Sequence, residues 1–129
     1  MPVKIRGFRG GDRETIELPS IQTALLKALK KAGKKIVFVN FSGSAMALTQ
    51  ETELCDAMLQ AWYPGQAGGE AIAKTLFGEY NPAGRLPLTF YRSTSQLPDF
   101  EDYSLKGRTY RYFKGTPLFH FGHGLSYTN

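Results

Sequence analysis

Residues 62–87 read WYPGQAGGEAIAKTLFGEYNPAGRLP, a run that packs several kinds of backbone punctuation around one short apolar helix. Pro64-Gly65 turns the chain, and Gly68-Gly69 permit close backbone approach. Gly78 ends the helix, and Asn81-Pro82-Ala83-Gly84 makes a second turn before Leu86-Pro87. So many special positions in so few residues dictate a loop-helix-loop unit with little freedom to vary.

The flanking sequence extends this unit into an α/β pattern. Val3 to Phe8 alternates apolar and basic residues, as a short extended segment does, and Gly10-Gly11-Asp12-Arg13 breaks it. Ser20, after Pro19, is the expected N-cap of a helix on which Ile21, Ala24, Leu25, Ala28, Leu29 and Ala32 recur at helical spacing. Gly33 is its expected stop. Ile36-Val37-Phe38-Val39 shows no polar alternation, the mark of a strand covered on both faces. Ala57 to Trp62 reads as a second strand and Leu86 to Phe90 as a third. Between them, Glu70 to Phe77 reads as a helix with Ile72, Ala73, Leu76 and Phe77 inward.

The predicted fold class is therefore α/β, a mostly parallel sheet flanked by helices with right-handed crossovers. From Tyr91 the texture changes to a loop holding Asp99, Glu101 and Asp102, followed by a short aromatic strand over Thr109–Phe113. Lys114-Gly115 turns the chain into Phe119-His120-Phe121. The expected organisation is one domain, with a core over 1–90 and an aromatic extended tail over 91–129.

Bulk properties narrow the function. The 129 residues suffice for a single core, and 42% hydrophobic content is that of a globular chain. No apolar run approaches the ~20 residues of a membrane helix, and MPVKIRGFRGG lacks the apolar segment of a signal peptide. The net charge of +5 is concentrated in Lys27, Lys30, Lys31, Lys34 and Lys35, at a helix end where cations complement the dipole. That placement reads as a solvated helix face rather than a nucleic-acid footprint.

No complete active site can be assembled from the residues. The GQAGG loop before a helix could cradle a phosphate, yet it lacks the Gly-Lys-Ser/Thr ending of a P-loop, and close helix-strand packing explains its glycines equally well. His120 and His123 have no further Cys or His to complete a tetrahedral metal set. Cys55, the single cysteine, lies beside Asp56 with no cation nearby in sequence and reads as a small apolar filler. Ser44 lacks a nucleophile-elbow pattern, and the acidic loop reads as solvated. No cofactor pattern is present.

Taken in order, GFRGGDRETIELP, WYPGQAGG, NPAGRLPLTF, GRTYRYF and FGHGLSYT resemble the C-terminal α/β-sandwich region of glycoside hydrolase family 3, over nearly the whole chain. Their flavour is closest to bacterial β-xylosidases and β-glucosidases, with a lean to the xyloside branch. His123 stands where the family usually has tyrosine. The resemblance implies a retaining β-glycosidase acting on β-linked xylo- or gluco-oligosaccharides, periplasmic or secreted. Its aspartate nucleophile would sit on an N-terminal barrel, and its glutamate acid/base on a loop just upstream of Met1.

This chain would then be a severed part of the sandwich, inactive alone, with no catalytic residue, metal or cofactor of its own. Its implied partners are the barrel and the rest of the sandwich, with no nucleic acid or membrane. Asp12 and Arg13 would pin the acid-bearing loop against the sheet, or equally form a salt bridge closing a turn. A partial sheet would leave strand edges open to self-association. The alternatives from the residues alone are a stand-alone flavodoxin-like module binding a phosphate ligand and a structural interaction module.

Overall fold

A computed structural model describes residues 15–99 and 101–128. Its first helix, α1, spans Ser20–Lys31. The strand β1 (Val37–Asn40) follows, then the short helix α2 (Thr49–Leu54) and the strand β2 (Ala57–Gln60). Helix α3 covers Gly68–Leu76, a 3₁₀ turn covers Thr94–Gln96, and the one-turn helix α4 covers Thr109–Tyr112. β1 and β2 pair in parallel from Val37 opposite Ala57 to Asn40 opposite Gln60. The α/β reading stands, with a two-stranded sheet among the described residues.

Both long helices end as the sequence demands. Gly33 has φ +68°, and the amides of Gly33 and Lys34 donate to the Lys30 and Leu29 carbonyls at 3.0 and 3.1 Å. This double closure needs a left-handed residue, which glycine adopts without a Cβ clash. Gly78 closes α3 in the same way through Thr75 and Lys74. The start of α1 differs from expectation. Pro19 holds the cap position, Ser20 is the first helical residue, and no side chain caps the end. Proline suits that place because the first helical turn needs no donor from it; its carbonyl accepts from Gln22 and Thr23 instead.

The core lies between α1, β1 and α2. Leu18, Leu26, Ile36, Met46 and Leu48 are buried together, with Phe38, Leu54, Cys55, Met58 and Leu118 packed against them. α1 turns Thr23 and Leu26 inward, while the stripe read from its periodicity faces out: Ile21 is 76%, Leu25 60% and Leu29 37% exposed. The periodic apolar side of α1 is thus exposed among the described residues, and the buried side carries only Thr23 and Leu26. On α3 the expected inward pair also stays out, with Leu76 43% and Phe77 84% exposed. Val37 is 54% exposed, so β1 is not covered on both faces among the described residues.

The second half departs further from the sequence reading. Residues 86–90 form no third strand. Phe90 makes a single antiparallel bridge with Phe119, because Pro87 removes one ladder donor and the partner is an irregular segment. Thr109–Tyr112 is a helical turn, not a strand. Its alternating aromatics meet no strand edge, and Tyr110 stacks on Phe121 instead, with ring centroids 4.6 Å apart. Phe90, only 1% exposed, anchors this half through edge-to-face contacts with Trp62 and Phe119 at 6.1 and 6.2 Å. The Val3–Phe8 segment lies outside the described residues.

Candidate functional site

In open parallel sheets, ligand-facing groups gather at the carboxyl ends of the strands. Here that end holds a closed amide-hydroxyl network. The Asn40 amide donates to Gln60 Oε1 at 2.7 Å and to Ser42 Oγ at 3.1 Å, and the Gln60 amide donates to Ser42 Oγ at 3.1 Å. The Ser42 hydroxyl donates in turn to the Ser44 carbonyl at 2.8 Å. Three polar side chains so matched fix the two strand ends and the turn after β1 in one register. Beyond them Trp62 takes a left-handed φ of +56°, which sends Tyr63 out over Gly43. A Cβ on Gly43 would meet the Tyr63 ring at 2.5 Å.

The GQAGG loop is shaped by packing. A Cβ on Gly68 would collide with the Pro64 ring, whereas one on Gly69 would meet nothing. The close approach expected of these glycines is thus made by the loop to itself. Far from this end, Asn81 clasps the C-terminal segment, its side chain donating to Thr128 Oγ1 and accepting from the Tyr127 amide at 2.8 Å. The Tyr127 hydroxyl donates to the Thr75 carbonyl at 2.8 Å. These contacts draw the NPAG turn, α3 and the SYT segment together.

The segment that enters α1 is held by a clasp that the sequence did not announce. The Glu17 carboxylate accepts from the Thr94 amide at 2.8 Å and the Thr94 hydroxyl at 2.5 Å, and Thr94 Oγ1 accepts from the Ile16 amide at 3.0 Å. Burial pushes the Glu17 carboxyl up, but hydrogen bonds, those from Thr94 first among them, outweigh it and hold the group below its ordinary range. Glu17 also bridges Ala47 in parallel, and the Ala47 amide donates to the Ile16 carbonyl at 2.9 Å. Thr15, Glu17, Pro19, Thr23, Lys27 and Gln50 line a cavity of about 610 Å³ beside this clasp. No local pattern links Glu17 to a threonine 77 residues away.

The sequence candidates fall in separate places. Asp12 and Arg13 lie outside the described residues. Asp99 and Asp102 accept from the Glu101 and Ser104 amides at 2.9 and 2.8 Å, local turns on an exposed loop. His120 and His123 are exposed, His123 stacking on Phe119 at 4.7 Å. Among the described residues no three His, Cys, Asp or Glu gather to hold a metal, and no helix is long and apolar enough to cross a membrane.

Cys55 packs on the core, and burial, Glu51 and Asp56 push its thiol up. One detail is corrected: Lys30, reaching from α1, acts on Cys55 as a cation, though too weakly to reverse that direction. The buried carboxylate of Glu51 accepts the Thr23 hydroxyl at 2.6 Å and ties α2 to α1.

Comparison with known proteins gives this arrangement its context. The family model described as the glycosyl hydrolase family 3 C-terminal domain matches residues 6–127. The chain is 66% identical to a xylan 1,4-beta-xylosidase of Xylanibacter ruminicola, over 99% of the chain and 15% of that protein. It is 43% identical to a periplasmic beta-glucosidase of Salmonella typhimurium, over 90% of the chain and 17% of that protein. A GH3 exo-beta-xylosidase (XlnD), solved with a xylobiose aziridine activity-based probe, superposes with TM-score 0.81 at 34% identity. That match covers 92% of the chain and 17% of the xylosidase. Beta-glucosidase 3B of Thermotoga neapolitana also gives 0.81, at 31% identity, over 91% of the chain and 19% of the glucosidase. The chain thus spans less than a fifth of the relatives it matches, and it belongs to glycoside hydrolase family 3, in that family's C-terminal α/β-sandwich domain.

Proposed function

We propose that these residues serve a retaining β-glycosidase that hydrolyses β-linked xylo- or gluco-oligosaccharides, with xylosides preferred. The observation that carries this reading is the 66% identity to a xylan 1,4-beta-xylosidase across almost the whole chain. In such chemistry one carboxylate attacks the anomeric carbon while an acid protonates the leaving oxygen, and water then releases the sugar. The nucleophile would come from a barrel and the acid/base from a loop ahead of Met1, so the 129 residues alone are inactive. Asp12 and Arg13 would hold that loop against the sheet. The Glu17–Thr94 clasp supports this role, because it fixes the backbone only a few residues beyond Arg13. The periplasmic beta-glucosidase of Salmonella typhimurium supports a periplasmic or secreted location.

The test compares nitrophenyl β-xyloside and β-glucoside turnover by this chain and by a polypeptide that adds the barrel and the upstream loop. The chain alone gives no turnover, and the longer polypeptide cleaves the xyloside faster. Turnover by the chain alone would overturn its inactivity, and faster glucoside cleavage would overturn the xyloside preference. Arg13→Ala in the longer polypeptide lowers kcat at unchanged Tm; a fall in Tm alone would leave Arg13 a turn-closing residue.

A further inference from the structure

We propose that a cavity within the aromatic tail binds one uncharged pyranose ring with equatorial hydroxyls. Thr89, Tyr110, Phe113, Pro117, His120 and Phe121 line a space of about 220 Å³ there. Its walls are held in place by contacts within the chain. Tyr110 stacks on Phe121, and Tyr91 meets Phe113 edge-to-face with ring centroids 4.9 Å apart. Gly115 lets the Phe113 ring lie against the backbone, since a Cβ there would come within 2.5 Å of it. Thr109, a β-branched residue, takes φ +60° at the start of the turn that presents Tyr110. Such strain persists only where the surroundings impose it, and it gathers at binding sites.

The lining selects the occupant. The Thr89 hydroxyl is buried without a hydrogen-bond partner among the described residues, and Thr89 itself lines the cavity. Rotation about its Cα–Cβ bond can bring that hydroxyl to a ligand, and a buried hydroxyl costs stability until something bonds it. A hydrocarbon would leave it unpaired. No Asp, Glu, Lys or Arg lines the cavity, so a charged ligand finds no counter-ion there. What remains is a neutral molecule with C–H faces for the rings and hydroxyls at its rim, where Thr89 and His120 are the polar groups. A pyranose with equatorial hydroxyls is built that way. Its axial C–H bonds point at an aromatic face, whose negative quadrupole attracts them. The space is smaller than the ~300–1,000 Å³ of pockets for drug-sized ligands, so one ring fits and a chain of rings does not.

The inference stands on the cavity and not on the glycosidase reading, and its test uses the 129-residue chain. The probe is methyl β-D-xylopyranoside, with open-chain xylitol as the control. The xyloside shifts amide signals at residues 89 and 109–121 saturably, and xylitol does not. Tyr110→Ala weakens binding about tenfold. Thr89→Val keeps the side-chain shape and removes the unpaired hydroxyl, so it also weakens binding about tenfold while the thermal midpoint holds or rises. A lower midpoint at unchanged binding would make Thr89 a packing residue and overturn the proposal. So would the absence of localised shifts, equal binding of xylitol, or tighter binding of phenol or tetramethylammonium at the same residues.

Discussion

The two halves of the molecule are held by different means. Residues 15–60 rest on one aliphatic cluster and a parallel ladder. Residues 61–128 rest on ring-to-ring contacts around Phe90 and on single hydrogen bonds between distant loops. Aliphatic packing spreads its energy over many small contacts, so the loss of one leaves the others in place. A hub built on one aromatic concentrates it. The second half should therefore fail at one residue and the first half by degrees.

The largest effect expected is from Phe90→Ala, about 3–5 kcal/mol, because both Trp62 and Phe119 lose the ring they lean on. Urea unfolding followed by amide exchange checks it: exchange rises first across residues 86–121. Leu26→Ala costs about 2–4 kcal/mol and raises exchange across α1, β1 and β2 together. The contrast between halves collapses if the two variants open the same amides.

Glu17→Gln sharpens the comparison, because the Glu17–Thr94 clasp joins the halves. It costs about 1–2 kcal/mol near neutral pH. The folded-state pKa of Glu17 lies below its ordinary value, so its contribution is present above the ordinary carboxylate range and is lost as pH falls through the folded value. Urea midpoints measured between about pH 6 and pH 3 should drop less for the variant than for the wild type. Equal slopes would remove Glu17 from the account.

Gly33→Ala should cost about 1 kcal/mol, since alanine must adopt φ +68°. The change should appear in the thermal midpoint with α1 otherwise intact. Smallest is Ile21→Gln, within about 0.5 kcal/mol, because its side chain meets no core in this chain. A larger loss would mean that the outward stripe packs against this chain after all.

Legibility followed local signals rather than the two halves. α1, β1, β2 and α3 were readable because periodicity and glycine stops are local signals. α2 was not: TQETEL has no apolar period, and the helix owes its place to Glu51 reaching Thr23 across the core. The supposed strands at 86–90 and 109–113 failed because pairing needs a partner edge, which no local pattern supplies. Of the candidate site, the GQAGG turn was legible and the Asn40–Ser42–Gln60 network was not, since Gln60 meets Asn40 only through the register of the two strands. By itself the sequence determined the family, the fold class and the C-terminal ends of the two long helices, which depend on residue types at fixed short spacing. The tertiary structure alone decided which side of α1 is buried, where the aromatics meet and how Glu17 finds Thr94, because those contacts join residues far apart in the chain.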